Sequence, residues 1–188
     1  MSGRIKNLSL SLLGLLGLSP GLVAAQSNDV GVLCSEIQGE SERPTDVGCI
    51  DVLSWSWGQN NSVTGIPPIP QNPSTQAFNF SKAIDSSSDD FLQGIITGSP
   101  IKGIVEYRQY RDCGTSCQAT EPYLTINFRD VVIVSNSASG SNGSSPFESV
   151  TLEFGDVSYC YRPTIKGVLG TPQCFAYSRD GNVSIPPF

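Results

Sequence analysis

The stretch Ile50–Gly58, IDVLSWSWG, decides the reading of this chain. Leu53, Trp55 and Trp57 alternate with Ser54 and Ser56, a two-residue period that predicts a strand with one apolar face. Two indoles on one face of a sheet supply a large apolar area for a core. A second segment answers it about ninety residues later: Phe147–Pro163, FESVTLEFGDVSYCYRP, where Val150, Leu152 and Phe154 alternate with Thr151 and Glu153. Between them Leu124, Ile126 and Phe128 alternate with Thr125, Asn127 and Arg129.

Working outward, Val32–Ile37 reads as a first strand, followed by the turn-rich Gln38–Gly48. Gln59–Pro73, with four prolines and one glycine, reads as a long surface loop without regular structure. Ala77–Lys82 is extended, with Phe78 and Phe80 on one face. One helix is expected, Asp89–Thr97, capped by Ser87 or Ser88, with Asp89 and Asp90 in the first turn and Gly98 as its stop. Phe91, Leu92, Ile95 and Ile96 fall on one side of it. Ile101–Tyr110 and Pro122–Val134 form a long hairpin. Ser135–Ser145, nearly all Ser, Asn and Gly, reads as a mobile loop. Val150–Phe154 and Val157–Tyr161 complete the core. The class is therefore mainly β: a small antiparallel β-barrel with one short α-helix.

Residues 1–25 read as an export signal. Arg4 and Lys6 precede the apolar run Leu8–Leu18, and Val23-Ala24-Ala25 supplies the small residues of a cleavage site. The run is too short for a membrane span. Cleavage leaves nine basic residues against seventeen acidic ones and moves the net charge from −6 to −8. Such a chain has no basic patch for phosphates, so nucleic acid is not an expected partner. The six cysteines of an exported protein read as disulfides. Their spacing favours Cys34–Cys49, Cys113–Cys117 and Cys160–Cys174, although sequence alone leaves every pairing open. Zinc is the rival use, but the spacings are not those of paired CxxC knuckles.

The chain has no histidine. This removes Ser-His-Asp and Cys-His catalysis and histidine metal sites. There is no P-loop or GxGxxG. A carboxylate-pair hydrolase is the remaining enzymatic option. Asp89 and Asp90 are better read as helix N-terminal charges, and Glu148, Glu153 and Asp156 as solvated strand and turn residues. Trp55 and Trp57 could stack on a sugar, but core packing is the plainer role. Asn60, Asn79, Asn142 and Asn182 sit in N-x-[ST] sequons, a pattern that chance produces readily in a Ser/Asn-rich chain.

In their order and spacing, Ile50–Gly58, Phe78–Asp85, Phe91–Val105 and Glu148–Tyr161 resemble the haemolysin-coregulated protein (Hcp) family, the tube-forming proteins of type VI secretion. The resemblance covers roughly Val32 to Pro163. It implies a compact β-barrel with a short helix at its side, no catalysis and no cofactor. It also implies self-assembly into six-membered rings that stack into tubes, with effector proteins in the lumen. Three features depart from that family: the export signal, the cysteines, and the continuation Thr164–Phe188 beyond the usual end. The organisation expected is thus a signal peptide (1–25), an Hcp-like barrel (26–163) and a C-terminal extension (164–188) tied back through Cys174. The protein would be secreted or periplasmic, with no membrane span after cleavage. The alternative is a monomeric secreted barrel that binds a peptide, glycan or surface partner through Gln59–Pro73 and Ser135–Ser145.

Overall fold

The computed structural model describes residues 29–112 and 120–188. Its strands are β1 (Val30–Cys34), β2 (Ile50–Val52), β3 (Ser54–Ser56), the short β4 (Gln59–Asn60), β5 (Val63–Thr64), β6 (Ile69–Pro70) and β7 (Ser74–Thr75), then β8 (Phe78–Ala83). Helix α1 (Ser88–Thr97) follows, then β9 (Val105–Tyr110), β10 (Leu124–Arg129), β11 (Val132–Ser139), β12 (Phe147–Glu153) and β13 (Asp156–Tyr161). The chain ends in β14 (Thr164–Ile165), β15 (Val168–Leu169), β16 (Gln173–Ser178) and β17 (Val183–Ile185).

Two antiparallel sheets enclose the core. The larger runs β17-β16-β13-β10-β9-β1-β2 and the smaller β11-β12-β8-β3. The chain passes between them at Leu53, through α1, at Asp130–Val131 and at Phe154–Gly155. The last two crossings meet: Gly155 N–H donates to the Arg129 carbonyl at 3.0 Å, and Asp130 adopts φ 53° to make the corner. The fold is thus mainly β with one short helix, as the alternation predicts. The wall is barrel-like, made of two sheets joined at corners, with no single ladder closing it among the described residues.

Alternation places the core. Leu33, Ile50, Phe78, Phe80, Tyr107, Ile126, Phe128, Val150 and Leu152 are buried between the sheets. Aromatic rings form the centre: Phe78 lies 4.9 Å from Phe128 and 5.6 Å from Tyr107, and Phe128 lies 4.7 Å from Phe154. Each fully buried ring or aliphatic side chain contributes about 1.5–3 kcal/mol.

Several sequence expectations are corrected. The first strand ends at Cys34, three residues early, because the chain turns away into an excursion fixed by Gly39–Gly48 and Ser41–Cys49 backbone bonds. Ile50–Gly58 is not one strand. It breaks at Leu53, which is 65% exposed because it sits on the corner where the chain changes sheets. Its buried anchor is Ile50, while Trp55 and Trp57 are half-buried against the core rim.

Gln59–Pro73 does contain regular structure. β4 pairs with β7 and β5 with β6, so the segment is a long exposed arm. The prolines are accommodated because these ladders are two-stranded and edge-like, and Pro67 and Pro68 fall in the tip. Likewise Ser135–Ser139 is the outer half of β11, paired with β12 as far as Ser139–Phe147. Polar composition there reflects an exposed edge strand. Helix α1 runs as expected to Gly98 (φ 63°), but only Phe91 is buried. Leu92 and Ile96 are exposed at 54% and 76%, because α1 packs on β11 through a narrower stripe than its sequence suggests.

Candidate functional surfaces

Lys82 is the residue the sequence reading missed. In FNFSKA it follows Phe78 and Phe80 at the same two-residue period, so it points inward and is fully buried. That position in the alternation was the available signal. Its register partner on β12 is Glu148. Lys82 Nζ lies 2.5 Å from Glu148 Oε1 and 2.7 Å from Asp85 Oδ1, and donates to the Ala83 carbonyl at 2.8 Å. Ser88 at the start of α1 donates to Glu148 Oε1 at 2.8 Å, and Asn136 Nδ2 to Oε2 at 3.0 Å.

Glu148 is therefore not solvated; it is 2% exposed. The alternation had put it on the inner face, but only its partner makes a buried carboxylate tolerable. Burial pushes the Glu148 carboxyl up, yet hydrogen bonds from Lys82, Asn136 and Ser88 and the Lys82 charge outweigh it and hold the group below its ordinary value. Asp85 behaves the same way: burial raises it, while Lys82 and Ser87 more than compensate. The network joins β8, β12, β11 and the first turn of α1, and so pins the helix to the smaller sheet.

A second charged node holds the Ser35–Cys49 excursion against the outward face of the larger sheet. Asp46 accepts from Arg108 at 2.7 Å and from the Tyr110 hydroxyl at 3.0 Å, with Arg43 at 3.0 Å. Burial raises Asp46, but bonds from Thr45, Arg108 and Tyr110 bring it below its ordinary value. The Arg43 guanidinium lies 3.7 Å over the Tyr110 ring.

The excursion is closed by a disulfide between Cys34 and Cys49, and a second joins Cys160 to Cys174, directly opposed on β13 and β16. Cys113 and Cys117 lie outside the described residues, as do residues 1–25. Cys34, Asp46 and Cys49 come within 4.8 Å of one another. The two sulfurs are spent on each other, so this trio offers no thiolate and does not fit a metal centre.

The carboxylates singled out in the sequence do not gather around one cleft. Glu153 pairs with Arg179. Asp89 and Asp90 stand in the first turn of α1, where negative charge suits the helix dipole. Asp90 lines an open groove of about 350 Å³ with Glu36, Gln93, Thr97 and Ile101. Trp55 stacks near Phe78 and Tyr107 and donates to Gln109 Oε1 at 3.0 Å, and Trp57 stacks on Tyr159. Both serve as packing at the core rim. No helix among the described residues is long and apolar enough to cross a membrane.

Large apolar side chains also stand exposed, among other places, on two projecting elements. The 59–75 arm shows Val63, Ile66 and Ile69, and α1 shows Leu92 and Ile96.

Comparison with known proteins agrees with this geometry. The family described as "Type VI secretion system effector, Hcp" matches residues 29–161. Protein hcp1 of Pseudomonas aeruginosa is 31% identical over 143 residues, 72% of this chain and 83% of that protein. Among solved structures, a type six secretion system protein superposes with a TM-score of 0.75 at 20% identity, covering 83% of this chain and 99% of that one. Hcp1 from Salmonella typhimurium gives 0.66 at 23% identity, covering 84% and 99%. These two likenesses concern the fold; the sequence matches carry the relationship. The chain belongs to the Hcp family of type VI secretion system proteins.

Proposed function

We propose that this protein is a non-enzymatic structural subunit that assembles into hexameric rings, that the rings stack into a tube, and that effector proteins occupy the lumen. The observation that carries this reading is family membership over residues 29–161, reinforced by a relative matched across 83% of its own length. The build of the subunit supports it. A tube wall needs a rigid body, and here two sheets share one aromatic core with charged nodes pinning the helix and the excursion. A ring needs two different, complementary surfaces per subunit. The projecting arm and the outer side of α1 are separate apolar surfaces able to serve as such.

We further infer an extracytoplasmic site of action. The Cys34–Cys49 and Cys160–Cys174 bonds favour an oxidising compartment, in keeping with the export pattern of residues 1–25. In this reading 26–163 is the tube domain. Residues 164–188 are an extension that adds β16 and β17 to the edge of the larger sheet. The test is the molar mass and negative-stain image of the oxidised protein. Rings support the reading, and a strict monomer at high concentration refutes its assembly part.

A further inference from the structure

One transverse row crosses the outward face of the larger sheet: Cys34, Glu106, Asn127, Ser158, Ala176 and Ile185, each the register partner of the next. Such partners point to one face, so the row is continuous. After Ile185 the chain doubles back along it. Phe188 N–H donates to Ser158 Oγ at 3.3 Å, and Asn127 Nδ2 donates to the main-chain oxygen of Phe188 at 2.5 Å. The Arg129 guanidinium lies 3.6 Å over the Phe188 ring. Ser158 and Ala176 are each 1% exposed, so the face is sealed at this point.

The row does not end at Phe188. Past Asn127 it opens into a cleft of about 320 Å³ lined by Cys34, Ser35, Ile104, Glu106 and Asn127. Asn127 Oδ1, at the junction of the filled and open parts, is buried without a hydrogen-bond partner. The groups that hold Phe188 read a main-chain N–H, a main-chain oxygen and an aromatic ring, features of an extended peptide with an aromatic side chain. Pro186 and Pro187 lead into the seat, and proline pre-sets the extended conformation, lowering the entropy lost on docking.

We propose that this row is a receptor slot for an extended proline-rich peptide bearing an aromatic side chain, and that residues 186–188 are a strap resident in it. A partner peptide of that chemistry docks by displacing the strap and continues into the open cleft. The strap is tethered through β17, so its local concentration is in the millimolar range, and an outside peptide competes at a disadvantage while it is present. The proposal goes beyond the ring reading and does not depend on it.

The experiment deletes residues 186–188 from the oxidised protein and titrates in a synthetic peptide copying residues 183–188, followed by calorimetry or amide chemical shifts. The shortened protein is expected to bind saturably, and the intact protein about tenfold more weakly or worse. Deletion lowers Tm by roughly 2–6 °C, and the peptide restores part of it. Asn127→Ala or Arg129→Ala in the shortened protein weakens binding about tenfold. If the deletion does not fold, Phe188→Ala in the full chain takes its place. Amide exchange should then rise at residues 157–159, and the full chain should gain affinity for the peptide. Absence of binding to a folded strapless protein overturns the proposal. So does equal binding with and without the strap, unimpaired binding by the Asn127 and Arg129 variants, or a Phe188→Ala protein unchanged in exchange and affinity.

Discussion

Lys82→Met is the most searching perturbation of the buried network. Lys82 is fully buried and touches two carboxylates, Glu148 at 2.5 Å and Asp85 at 2.7 Å. Asp85 lies near the surface and can turn to water; Glu148 cannot, being 2% exposed. Removing the ammonium leaves a buried carboxylate held only by Ser88 and Asn136. Breaking a buried pair in this way costs about 3–5 kcal/mol. For a chain of this size that is roughly 8–15 °C in Tm. The pH dependence carries a sign. In the natural protein the Glu148 carboxyl sits below its ordinary value, so its share of stability is present near neutrality and lost as pH falls. In the variant only the Ser88 and Asn136 bonds still oppose burial, so the carboxyl rises, folding takes up a proton and the deficit shrinks on acidification. The double variant Lys82→Met with Glu148→Leu removes both charges and should recover most of the loss. Denaturant melts of the four proteins at pH 7 and pH 5 form a double-mutant cycle. A single variant within about 1 kcal/mol of the natural protein, or a double variant no better than the single, would refute the reasoning.

Gly39→Ala should be strongly destabilising, because a methyl there would meet the Cys49 carbonyl at 2.6 Å and the Ile50 Cα at 2.8 Å, both backbone atoms. A loss of about 2 kcal/mol or more in chemical denaturation is expected. Cys160→Ser with Cys174→Ser opens a link spanning 14 residues, worth about 3 kcal/mol in the chain-entropy model. Its melting curve should match that of natural protein reduced only at this pair. Asp46, Asp85 and Glu148 all sit below ordinary values of 3.8, 3.8 and 4.5, so the unfolded chain binds more protons in acid. Tm should be flat from neutrality to about pH 5 and then fall as the unfolded chain takes up protons that the folded groups resist. A Tm that rises on acidification would contradict all three assignments.

Much of the fold was legible because alternation is a direct trace of a half-buried strand. Leu124–Arg129 and Phe147–Glu153 alternate as written, and Phe78 and Phe80 point inward as read. The failures have local causes. Leu53 continues an apolar period, yet the chain turns a corner there, and a corner is made by long-range pairing that no local pattern encodes. Ser135–Ser139 is a strand because β12 offers it hydrogen bonds, and composition alone reads as loop. Lys82 and Glu148 are charged residues in apolar positions. The period places each inside, but what licenses them is a partner 66 residues away. The receptor row on the outward face depends on the register of six strands, which sequence does not give.

In the proposed assembly this two-sheet body is the repeating subunit of a closed ring. Light-scattering mass of the oxidised protein during size exclusion, with negative-stain images of the same peak, tests it most directly. A mass of six chains with annular particles is the predicted result; a monomer persisting at the highest soluble concentration would contradict it.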